Sequence, residues 1–171
     1  LLGLFIAVPV SLVAWDVVQL SLAADAELAT LCAQYSDRYA IKLAVLPHDA
    51  ACSFLIEVRD PNPNQPLPSG DGKTLLGYVF SSHVLNGAVN KAGSQAVLNR
   101  LFEHRIDWKI EHHPGLPSLL HLAVQTHSVE WVERLLKAGA NLRQKAGPVL
   151  PTMEGFDAAD YARVLRIQAE G

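Results

Sequence analysis

Residues 119–142 read LLHLAVQTHSVEWVERLLKAGANL. No other stretch constrains the fold as much. Leu119, Leu122 and Ala123 fall on one helical face, and Val129, Val132, Leu135 and Leu136 on another. The polar run Gln125-Thr126-His127-Ser128 separates them, so one continuous helix cannot bury both stripes. The pattern predicts two short antiparallel helices joined by a tight turn. Gly139 then stops the second helix, because a left-handed C-terminal residue suits glycine.

The stretch resembles an ankyrin repeat, in which a Thr-Pro-Leu-His-type tetrapeptide opens the helix pair. Here Ser118-Leu119-Leu120-His121 takes that slot, and 132–141, ending in Gly-Ala-Asn, matches the second helix and its exit. Leu119 replaces the proline of the motif, and His127 stands where the inter-helix glycine is usual. An upstream copy aligns Leu101-Phe102 with Leu135-Leu136 and Ile106-Asp107 with Ala140-Asn141, placing its first helix at Leu85-Asn86-Gly87-Ala88-Val89. Downstream, 155–162 resembles the opening of a further repeat. The resemblance covers residues 81–171 and implies a short solenoid of two to three degenerate repeats that binds another protein and does not catalyse.

The expected fold class is mainly α, with that solenoid preceded by an N-terminal apolar helix (1–36) and a small β region (37–80). The start, LLGLFIAVPVSLVAW, carries fifteen residues without a charge before Asp16. Such a run through residue 24 predicts a membrane anchor. A cleaved signal peptide, with Ala23-Ala24-Asp25-Ala26 as its processing region, and a buried helix interrupted by Pro9 are the other readings. Three short strands are expected at 39–46, 53–59 and 73–80, with an irregular loop between the last two holding four prolines and two glycines in thirteen residues.

Cys32 and Cys52 are the two cysteines, and their spacing suits no zinc site. If residues 1–24 direct export, the pair closes a disulfide; in a cytosolic protein it stays as two thiols. Five of the seven histidines lie between His104 and His127, without His-x-x-x-His or Cys-His spacing, so no metal is expected. Ser69-Gly70-Asp71-Gly72-Lys73-Thr74 lacks the leading glycine of a phosphate loop, and no nucleophile motif is present, so no cofactor and no enzyme activity are expected. The net charge of −3 argues against nucleic acid. Residues 1–80 hold four basic and eight acidic side chains against ten and nine in 81–171, so neither half is polybasic.

In an ankyrin register the free hairpin tips and first helices carry Asn90, Lys91, Trp108, Lys109, His112, His113, Gln125, His127, Arg143 and Lys145, the expected partner surface. Trp131 takes an apolar slot in the second helix, whereas Trp108 suits either packing or a partner anchor. The overall organisation is similar to that of membrane-anchored bacterial immunity proteins. That similarity implies an inner-membrane protein with its globular part in the periplasm, blocking a secreted, lipase-like antibacterial effector by steric occlusion. An accessory structural subunit of a membrane complex is the alternative.

Overall fold

A computed structural model describes residues 56–67, 71–85, 91–114, 117–146 and 154–170. Five helices are present in these segments: α1 (Leu75–Leu85), α2 (Lys91–Leu101), α3 (Leu119–Gln125), α4 (Val129–Lys137) and α5 (Ala158–Glu170). A helical turn over 56–59 precedes them. Helix α1 packs on α2 and α3, and α3 packs on α4 and α5. The helices α1, α3 and α5 thus form an inner row, with α2 and α4 laid on it as an outer layer.

The α3–α4 pair follows the sequence pattern. Seven residues are too few for a stable isolated helix. What holds α3 is burial of Leu119, Leu120, His121, Leu122 and Ala123 in succession. Ser118 caps its start, accepting from the His121 amide. His127 makes the inter-helix turn at φ 53°, and Gly139 ends α4 at φ 96°. Trp131 is buried against Phe80, with ring centroids 5.3 Å apart, and against Phe102 at 5.7 Å.

Two expectations are overturned in the N-terminal half. The segment 73–80, expected as a strand, is the start of α1. Leu75, Leu76, Val79 and Phe80 are all fully buried, a helical spacing that a strand would split between two faces. Thr74 caps the helix, its Oγ1 accepting from the Gly77 amide at 3.1 Å. The end of the other expected strand, 56–59, is helical: Ile56 is buried while Val58 is 64% exposed, although alternation would bury both. Among the described residues there is no strand, only isolated bridges at Pro66–Thr74 and Lys145–Asp157. No helix among the described residues is long and apolar enough to cross a membrane. Residues 1–36, the strand expected at 39–46, Cys32, Cys52 and Asn90 lie outside the described residues.

Helix α1 starts at Leu75, ten residues before the helix expected to open at Leu85, and residues 86–90 of that expected helix lie outside the described residues. A still earlier unit is visible in its exit alone. Asp60 ends the turn 56–59 at φ 55°, its amide donating to the Ile56 carbonyl at 3.1 Å, as Gly139 follows α4. Asn62, Asp107 and Asn141 then repeat one construction, in which the side-chain Oδ1 accepts from the amide two residues on, at 2.9, 3.0 and 2.9 Å. These turns shape three finger loops, over 60–67, 105–114 and 139–146.

Candidate functional site

Side chains from each finger loop tie it to the next unit. Asn64 Nδ2 donates to the Arg105 carbonyl at 3.0 Å, and its Oδ1 accepts from the Asp107 amide at 2.9 Å. One unit later, Trp108 Nε1 donates to the Ala138 carbonyl at the end of α4, at 2.7 Å. That bond satisfies a helix-end carbonyl that would otherwise lack a partner. Trp108 is half-buried and meets His112 edge-on, with centroids 5.5 Å apart.

The inner helices meet the fingers through a recurring joint. His121 is fully buried; its Nε2 lies 3.0 Å from the Phe156 carbonyl and its Nδ1 2.7 Å from Ser118 Oγ. A carbonyl only accepts, so Nε2 carries the proton and Ser118 donates to Nδ1. Burial lowers the His121 pKa, partly opposed by the Phe156 carbonyl and Asp157, which keeps the ring neutral at pH 7. In the preceding unit Gly77 takes the place of His121, Thr74 that of Ser118 and His112 that of Phe156. With no side chain on Gly77, the loop closes directly on the helix. The Thr74 amide donates to the His112 carbonyl at 2.9 Å, and Thr74 Oγ1 lies 2.9 Å from His112 Nδ1.

His112 is therefore a joint residue, 5% exposed, rather than part of an open hairpin tip. Thr74 Oγ1 lies 2.9 Å from His112 Nδ1 and 3.3 Å from the His112 carbonyl. Among the described residues neither the buried His112 Nε2 nor the buried Nδ1 of the half-buried His113 has a hydrogen-bond partner. Burial lowers the pKa of both rings; the Asp107 backbone opposes this at His112, whereas Lys73 adds to it at His113.

Between the second and third fingers, over the start of α3, lies a groove of about 280 Å³. Trp108, Lys109, Glu111, His112 and His113 line it from one loop, Ala140, Asn141, Gln144 and Lys145 from the next, and Pro117 to Leu120 from below. Five of the ten residues expected at a partner surface thus meet in one place. Asn90 lies outside the described residues, and the other four are elsewhere. Gln125 and His127 are exposed at the inter-helix turn. Arg143 is exposed but bonded to Asp157 at 2.9 Å. Lys91 opens α2. Glu111, Asn141 and Gln144 are lining residues that reasoning from the tips missed; Asn141 and Gln144 sit in the third finger beside Arg143 and Lys145.

Asp157 is 6% exposed and caps α5, its Oδ1 accepting from the Asp160 amide at 2.9 Å. The bond from Arg143 and that amide hold its carboxyl below the usual range. Other polar contacts link separate elements. Asp60 bonds Arg100 at 2.6 Å and His104 at 2.8 Å, and Arg134 bonds Asn99 at 2.7 Å while lying over the Phe102 and Trp131 rings. Among the described residues no group of three or more His, Cys, Asp or Glu side chains is placed to hold a metal ion. No protein-family model matches the chain, and neither does any curated protein or solved structure.

Proposed function

We propose that the chain is a protein-binding module of the ankyrin-repeat kind, and that its partner surface is the groove between the second and third fingers. Three features support the repeat reading: the stacked helix pairs, the recurrent turns at Asn62, Asp107 and Asn141, and the matched joints at Gly77 and His121. The observation that carries the binding reading is the groove itself, which gathers Trp108, Lys109, His113 and Lys145 from two finger loops. Concave sites with a few convergent polar groups are the usual form of a binding site. In this role the module acts by covering a surface of its partner. A secreted antibacterial effector, the class suggested by the sequence organisation, is the first partner to test.

The test is comparative capture from the native host with the wild-type chain and with the double variant Lys109→Glu/Lys145→Glu. Both lysines are exposed, so the variant keeps its fold. The reading expects one protein to be retained by the wild type and lost from the variant. Equal retention of every captured protein would remove the groove as the partner surface.

A further inference from the structure

Building on that reading, we propose that the groove takes an extended segment of the partner through a single Asp or Glu side chain, held between Lys109 and Lys145, with an apolar neighbour against Trp108. Lys109 comes from the second finger and Lys145 from the third, and both line the groove. Neither has an ion-pair partner among the described residues, whereas Lys73, before α1, and Arg143, on the third finger, are bonded to Asp71 and Asp157. Two unpaired cations on adjacent loops give the groove a charge that a carboxylate complements.

A second observation is independent of the lysines. His112 also lines the groove, is 5% exposed, and holds a buried Nε2 with no hydrogen-bond partner among the described residues. In the proposed complex Nε2 carries the ring proton and donates to the incoming carboxylate. A carboxylate is acceptor-only and meets both the donor and the cations. Glu111 sets a limit. It lines the same groove and repels a second negative charge, so the segment carries one acidic residue there rather than an acidic run. The edge-on packing of Trp108 on His112 leaves the indole as a groove wall, a surface suited to an apolar side chain.

The test uses the full chain and a positional-scanning library of N-acetylated, C-amidated dodecapeptides, read by fluorescence anisotropy. Amidation removes the terminal carboxylate, so selection reports side chains alone. The expected result is enrichment of Asp or Glu at one position beside an apolar residue. Replacing that Asp by Asn should weaken binding by about tenfold or more in the wild type, and by much less in Lys109→Ala/Lys145→Ala. Peptides that bind the groove, as judged by their loss in a groove-filling Gln144→Trp variant, yet show no carboxylate preference would overturn the inference and leave the groove as a binding surface. Peptides indifferent to Gln144→Trp would overturn both. A library with no binders would overturn recognition of an extended segment.

Discussion

A Cβ atom on Gly77 would lie 1.9 Å from the carbonyl oxygen of His112. Helix α1 and the second finger are in backbone contact there, and only glycine leaves room. Gly77→Ala is therefore expected to destabilise, although alanine in a helix interior is usually better than glycine by about 1 kcal/mol. Overpacking against backbone costs about 3 kcal/mol or more, because no side chain can rotate away. The urea midpoint of the variant should fall; a rise would show that the loop does not close on α1.

Trp131 and Trp108 should separate by mechanism. Trp131→Ala removes a buried ring packed on Phe80 and Phe102, and should cost on the order of 3–5 kcal/mol. Trp108→Phe keeps most of the packing but loses the hydrogen bond to the Ala138 carbonyl, and should cost about 1 kcal/mol. Trp108 thus has a packing role whether or not it also meets a partner. Urea melts of both variants check the ranking, and a reversed order would contradict the placement of α4.

The left-handed positions predict opposite signs. Gly139 has φ 96°, and a Cβ there would sit 3.4 Å from Trp108 Nε1, so Gly139→Val strains the backbone and disturbs the indole bond. His127 has φ 53° and is exposed, so His127→Gly should stabilise by roughly 1 kcal/mol. Thermal melts of the two variants should move in opposite directions. A loss in both would mean that the His127 side chain supports the turn.

Stability should fall on mild acidification. The pKa values of His112, His113 and His121 are all lowered in the folded state, chiefly by burial. In the unfolded chain these imidazoles take up protons near pH 6.5, so below that point the unfolded state binds more protons. Their contribution is complete above about pH 6.5 and is lost as pH drops from there toward the lowered folded values. Asp157, whose carboxyl is also lowered, adds a separate loss only at lower pH, beginning near the ordinary carboxylate value of 3.8. Urea midpoints at about pH 7.5 and 5.5 should differ in this direction, and His121→Gln should flatten the slope. Higher stability at the lower pH would contradict the neutral, buried histidines.

The helix pair α3–α4 was legible because its signals agree: 3.6-residue periodicity, a serine cap and a terminal glycine. Helix α1 was hidden by its composition. The window Lys73 to Phe80 is rich in β-formers, and Gly77 removes the histidine that would have marked a helix-opening tetrapeptide. Setting Thr74-Leu75-Leu76 against Ser118-Leu119-Leu120 aligns the starts of α1 and α3, and it also places His112 at the Phe156 joint. The exit at Asp60 was masked by the proline-rich run after it. Five of the fourteen residues that line the groove were readable from the finger tips. Burial of His112 was not, because it depends on the absence of a side chain 35 positions away in sequence.

The central claim is that the partner sits in the groove between the second and third fingers. Photocrosslinking in the native host tests it most directly, with a benzophenone amino acid placed singly at Lys109, at Gln144 and at Glu133. Lys109 and Gln144 line the groove, while Glu133 is exposed on the outer helix α4. The account predicts the same adduct from Lys109 and Gln144 and none from Glu133. An adduct from Glu133 with none from the groove positions would contradict it.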